Sequence, residues 1–253
     1  MSALIELKNI TNRFGEEVVH DGVSLAVEKG ETLGLVGGSG SGKSVLLRTM
    51  IGLNAPQEGE VLVDGTNLYE LSSEDRLNVQ KRWGVLFQNG ALFSGLSVLD
   101  NIALPLREHT GLSPGTIDDL SFTKLQMVGL DADAADKRPS ALSGGMITRA
   151  GVARAMALDP DILFLDEPTG ALDPSAASSL DELMRSLHEV LDLSILIITH
   201  DPNTLVNVCD RIAMIVDKKV ESGTLDEMLR SKNEKIRNYF RDERVRAALA
   251  KRQ

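Results

Sequence analysis

At 253 residues, 42% of them apolar, the chain is long enough for one large or two small domains around a substantial core, which excludes a disulfide scaffold and a mainly disordered state. Lys+Arg 27 against Asp+Glu 37 leaves a formal charge of −10, which argues against nucleic acid as a partner, because nonspecific affinity there is counterion release driven by Lys and Arg. The single cysteine, Cys209, forms no internal disulfide, and no bilayer-length apolar run or charged-then-apolar leader occurs, so a soluble protein of a reducing compartment is expected.

Leu4 to Ile10 alternates apolar and polar residues, and Val23 to Val27 repeats the pattern after Asp21-Gly22, read as a turn, so two amphipathic strands are predicted. Glu31 to Val36 loses the alternation after two residues, as a central strand covered on both faces does. It runs straight into Gly37-Gly38-Ser39-Gly40-Ser41-Gly42-Lys43-Ser44 and then Val45 to Ile51, a helix without a breaker. Gly84 to Phe87 reads as another strand. From Gln88 to Asp159 the strand signal disappears, and Ser97 to Leu106, Ser121 to Val128 and Met146 to Ala157 read as helices. Asp161 to Leu165 and Ser194 to Ile198 are continuous apolar runs separated by a helix from about Ser175 to Val190, a βαβ unit of a parallel sheet. Arg211 to Val216 and Lys219 to Glu221 predict a closing hairpin around Asp217-Lys218.

The segment Ser231 to Gln253 carries eight Lys/Arg and three acids, net +5, leaving −15 upstream. Leu225, Met228 and Leu229, then Ile236, Tyr239 and Phe240, recur at helical spacing and predict two amphipathic helices. Three uses stay open for this tail: packing on its own chain, contact with anionic lipid, or reaching across to a partner subunit.

Gly37 to Ser44 fits G-x-x-x-x-G-K-[ST], whose glycines let successive backbone N–H groups wrap phosphate oxygens at a helix N-terminus. Lys43 then bridges β- and γ-phosphate, Ser44 holds Mg²⁺, and Val45 opens the helix behind them. Ile162 to Glu167 is the companion: a buried strand delivering Asp166 toward the metal and Glu167 toward a water that attacks the γ-phosphate. An acidic pair at a strand end is otherwise a helix cap, which Pro168 would also suit.

Those motifs, with Gln88 after its strand, Leu142-Ser143-Gly144-Gly145-Met146, Leu165-Asp166-Glu167-Pro168, Ala171-Leu172-Asp173 and Thr199-His200, resemble the nucleotide-binding subunits of ABC transporters over about residues 4–225. The resemblance implies an α/β P-loop NTPase (RecA-like) fold: a parallel-sheet core with an N-terminal antiparallel β region and an inserted α-helical subdomain. Residues 1–88 and 160–225 would form the ATP-binding core, 89–159 the helical subdomain and 226–253 a basic helical tail. It further implies a head-to-tail homodimer in which each ATP lies between the glycine loop of one subunit and Ser143-Gly144-Gly145 of the other. Met146 stands where the family usually has Gln. Gln88 resembles the residue that completes the Mg²⁺ shell, His200 the switch histidine at the γ-phosphate, and Asp173 the D-loop residue at the dimer interface, although Asp173-Pro174 also suits a helix start. Phe14 resembles the aromatic that stacks on adenine, the alternative being a core residue of the N-terminal hairpin. Arg149 and Arg154 fit the family pattern downstream of Leu142 to Met146, its signature segment.

Gly90-Ala91-Leu92-Phe93 and Pro105-Leu106-Arg107-Glu108-His109 are similar to the ATPases of Mla/Mce-type phospholipid transporters. That implies a peripheral subunit on the cytoplasmic face of the inner membrane, working with an integral permease, an MCE-type lipid-binding protein and a small accessory subunit. An ATPase of a cell-division or lipoprotein-release ABC complex is the alternative, sharing every catalytic motif.

Overall fold

The computed structural model describes residues 3–251. Strands β1 (Ala3–Phe14) and β2 (Glu17–Glu28) form an antiparallel hairpin that turns at Gly15-Glu16. Asp21-Gly22 is therefore not the turn. It lies inside β2, where the register passes from Asn12 opposite His20 to Ile10 opposite Val23, and Gly22 at φ +66° provides the bulge. Bulges and turns both call for a left-handed residue, so the dipeptide reads the same way in either.

β3 (Thr32–Gly37) is buried at all six positions and leads through the glycine loop into α1 (Lys43–Met50). Then come β4 (Glu58–Val63), β5 (Thr66–Asn67), α2 (Ser73–Gln80), capped by Ser72, and β6 (Trp83–Leu86). The chain from β6 to β7 is helical: α3 (Val98–His109), α4 (Pro114–Met127) and α5 (Gly144–Ala155). Helix α4 starts well before Ser121, because Ser113 caps it and Ile117 supplies an earlier buried contact. β7 (Ile162–Asp166), α6 (Pro174–Leu191) and β8 (Ser194–Ile198) form the expected parallel βαβ unit; α7 (Pro202–Asn207) and the hairpin of β9 (Arg211–Val216) and β10 (Lys219–Gly223) follow.

Two sheets result, in order β2-β1-β4-β5 and β10-β9-β3-β8-β7-β6, the second parallel except for β10. The strands of the parallel sheet alternate between two cores. Phe164 and Leu196 join Leu46, Leu47 and Met50 of α1 and the inner faces of β1 and β4, whereas Leu163, Leu165, Ile195 and Ile197 pack under α5 and α6. With both faces covered, these strands read as unbroken apolar runs.

The tail makes three helices rather than two: α8 (Leu225–Leu229), α9 (Glu234–Phe240) and α10 (Glu243–Lys251), the last two divided where Asp242 accepts a bond from the Arg244 amide. Met228, Ile236, Phe240 and Val245 are buried with Val36, Leu205, Ile212 and Met214, so the apolar faces of the tail pack on their own chain. Residues 1–2 and 252–253, which fall within the expected core and tail, lie outside the described residues. Among the described residues no helix is long and apolar enough to cross a membrane.

Candidate functional site

The site begins where β3 ends. Gly42 caps α1 at φ +96°, and a Cβ there would lie 2.5 Å from Val19 Cγ1 and 2.6 Å from His20 Nε2, so only glycine fits. Beside Gly38 and Gly40 the space a Cβ would fill is open, leaving the backbone accessible from the cleft. Gly37 instead packs on Ser41, whose Oγ is buried without a partner. Val45 sits in the first turn of α1 and accepts from Thr49 through its carbonyl.

Lys43 is 8% exposed, and its Nζ donates to the carbonyls of Gly37 (2.9 Å) and Gly38 (3.2 Å). Burial pushes its pKa down, against the charges of Glu167 and Asp166. The Ser44 hydroxyl donates to Asp166 Oδ2 at 3.3 Å, tying the start of α1 to the end of β7. Burial raises the Asp166 pKa, while Ser44, Arg48 and Lys43 oppose the rise. Arg48 lies one helical turn after Ser44, a spacing that could have marked it in the sequence.

Glu167, the residue after Asp166, takes the left-handed φ of +52° and donates its amide to the Ile198 carbonyl at 2.9 Å. That fixes its side chain against His200, with Oε1 2.9 Å from Nε2. Burial raises the Glu167 pKa, partly offset by His200 and Lys43. Gln88 opens a short turn after β6 and faces the same cleft, a cavity of about 420 Å³ that Lys43, Ser44, Asp166, Glu167 and His200 also line with Ser39 and Gly40. Thr148 of α5, which carries no sequence signal, lines it too.

Other expected site residues lie elsewhere. Phe14 ends β1 and is 54% exposed, not in the hairpin core. Ser143 caps α5 through the Met146 amide, and with Gly145 it borders a separate cavity beside Leu172 and Arg149; Gly144 follows in the first turn of the helix. Asp173 caps α6, its Oδ1 accepting from the Ser175 and Ala176 amides, both at 3.0 Å. Within one chain the signature segment thus does not share the cleft of the glycine loop.

The ABC transporter family matches residues 20–170, more than half of the chain. The chain belongs to that family. An ABC-type ATPase by membership, it is 40% identical over 241 residues to the Haemophilus influenzae intermembrane phospholipid transport system ATP-binding protein MlaF, covering 95% of this chain and 91% of the relative. It is also 40% identical over 246 residues to a probable ribonucleotide transport ATP-binding protein, mkl, of Mycobacterium leprae, covering 97% of this chain and 71% of that one. Among solved structures, an ATP-binding cassette in a dimeric post-hydrolysis state bound to ADP and Pi superposes with a TM-score of 0.79 at 31% identity, covering 87% of this chain and 98% of that one. The expected P-loop α/β fold and the family resemblance both hold.

Proposed function

We propose that this ABC ATPase binds ATP with Mg²⁺ in the cleft, hydrolyses it, and so powers phospholipid movement between membranes. The observation that carries the reading is the convergence of Lys43, Ser44, Gln88, Asp166, Glu167 and His200 on one cavity from four separated segments. Glycine-loop amides from Gly37 to Val45 and the N-terminus of α1 receive the phosphates. Lys43, now held by loop carbonyls, exchanges them for β- and γ-phosphate oxygens. Ser44, Asp166 and Gln88 offer oxygen atoms at one end of the cleft, which suits Mg²⁺, and these are the residues that would hold it. Mg²⁺ supplies charge neutralisation at the phosphates.

Glu167 is the general base. Burial raises its proton affinity, against the opposing charges of His200 and Lys43, which strengthens its pull on the proton of a water. His200 orients that carboxylate from 2.9 Å and reaches the γ-phosphate. Phe14, exposed at the hairpin end, stacks on adenine. A second copy in head-to-tail orientation brings its Ser143-Gly144-Gly145 over the open cleft, and Asp173 lies at that seam; the dimeric state of the related cassette supports this arrangement.

The membrane-side reading rests on the phospholipid transport name of the Haemophilus relative. The subunit sits peripherally on the cytoplasmic face of the inner membrane, with exposed Phe93 and the Pro105 to His109 segment toward an integral permease, joined by an MCE-type lipid-binding protein and a small accessory subunit. The name of the Mycobacterium relative gives ribonucleotide as a second cargo. Purifying the chain with its membrane partners and measuring phosphate release with added phospholipid or ribonucleotide tests both. Stimulation by phospholipid alone supports this reading, and stimulation by ribonucleotide alone overturns its cargo.

A further inference from the structure

Immediately after Gln88 the backbone does something costly. Asn89 (φ +61°), Gly90 (φ +74°) and Ala91 (φ +44°) are three consecutive residues in the left-handed region, and only one of them is glycine. L-residues avoid that region because Cβ crowds the carbonyl, so such a run persists only where its surroundings hold it. The hold comes from one face of α5, at Ile147, Gly151 and Arg154. A Cβ on Gly90 would sit 2.8 Å from Ile147 Cγ2, and a Cβ on Gly151 would sit 3.2 Å from Gly90 Cα, so loop and helix are in direct backbone contact. Arg154 closes the contact: Nη2 donates to the Gly90 carbonyl at 3.1 Å and Nη1 to the Ala91 carbonyl at 2.9 Å, while its guanidinium lies 5.7 Å from the centre of the Phe93 ring. The turn that carries Gln88 is closed on its other side by the Gly90 amide donating to the Phe87 carbonyl at 3.0 Å.

We propose that Arg154 is a positioning residue for Gln88: by gripping two successive carbonyls it holds the left-handed run in the one conformation that points Gln88 into the nucleotide cleft. The planar guanidinium is suited to this, since its two Nη groups sit in a fixed fork that matches two neighbouring oxygens, which an ammonium cannot reproduce. The same helix is capped by Ser143, so the clamp makes the signature segment and the Gln88 turn parts of one rigid unit. Burial lowers the Arg154 pKa, a cost consistent with a cation placed for its geometry.

The inference rests on the cleft being an ATP site, and the test separates the two. Arg154→Met and Arg154→Lys are compared with wild type, each also combined with Ala91→Gly, which lets residue 91 take its left-handed φ without a clamp. In nucleotide-free protein, exchange of the Gly90 amide should be at least tenfold faster in Arg154→Met. In steady state, kcat should fall about tenfold with the KM for ATP within twofold, because Lys43 and the glycine loop still hold the phosphates. Arg154→Lys should recover part of the loss, and Ala91→Gly should recover turnover in the Arg154→Met background. Unchanged Gly90 exchange overturns the proposal, as does a parallel loss of kcat, KM and melting temperature that Ala91→Gly does not repair. A wild-type chain that hydrolyses no ATP would overturn the functional reading instead, and the exchange measurement would then decide the clamp by itself.

Discussion

Glu167 and His200 face each other across 2.9 Å, although neither lies in a regular element and they stand 33 positions apart in the chain. What brings them together is the parallel pairing of β7 with β8, which ends Asp166 beside Ile198 and lets the Glu167 amide bond the Ile198 carbonyl. The contact places a carboxylate and an imidazole at the C-terminal edge of the sheet, where the glycine loop also opens, the position at which α/β sheets bind ligands. The left-handed φ of Glu167 is the local distortion that turns its side chain into the cleft.

Asp181 sets a pH dependence away from the site. It is 8% exposed and accepts a bond from the Thr204 hydroxyl at 2.9 Å. Burial, helped by Asp201, pushes its pKa up to about 6 despite that bond. The folded state therefore holds this proton more tightly than the unfolded chain, so stability is fully present below the unfolded pKa near 3.8 and is lost as pH rises through about 6. Asp181→Asn keeps the acceptor and removes the buried charge. It should raise stability at pH 8 by up to about 3 kcal/mol and leave it nearly unchanged at pH 3. Chemical denaturation at the two pH values checks this, and equal effects at both would refute it.

Phe240 is fully buried between the tail and the sheet, together with Ile236 and Met214. Phe240→Ala should cost about 3–5 kcal/mol, since it removes a large buried ring and leaves a cavity. For a chain of this size that is a fall in melting temperature on the order of 10 °C. Removing Asn233 to Gln253 exposes the same core, so it should destabilise the monomer, where a tail serving only a partner subunit would leave the monomer intact. Thermal melts of both variants without nucleotide decide between these outcomes.

The sequence legibility of each part follows from its physics. β3, β7 and β8 could be read because both faces are covered, and the glycine loop because its residue types are dictated by phosphate geometry. α2 left no trace, since none of its residues is buried and no apolar period arises. β4 begins Glu58-Gly59-Glu60, all exposed, which hides a strand whose partner is set by long-range pairing with β1. The Arg154 grip on Gly90 and Ala91 spans more than sixty residues and depends on backbone carbonyls, which no side-chain pattern records. Asp173 could be read two ways because both were open to it, and within the chain it does cap α6.

The shared-site arrangement has a mixing test. In the proposed dimer, Ser143→Arg would put a bulky cation over a neighbour's γ-phosphate, and Lys43→Ala would remove the phosphate grip from the subunit's own cleft. Each homodimer should lose at least 90% of turnover. Mixed dimers keep one site with an intact Lys43 and an intact facing Ser143, so mixing should restore activity in the presence of membrane partners. No recovery on mixing would contradict the head-to-tail reading.

The most direct measurement is phosphate release by Glu167→Gln beside its sedimentation with ATP. The amide keeps the shape of the side chain and loses the negative charge that polarises water, so turnover should drop by at least about a hundredfold while ATP binding persists and dimers accumulate. Phosphate release at the wild-type rate would show that Glu167 is not the base and that the cleft does not work as described.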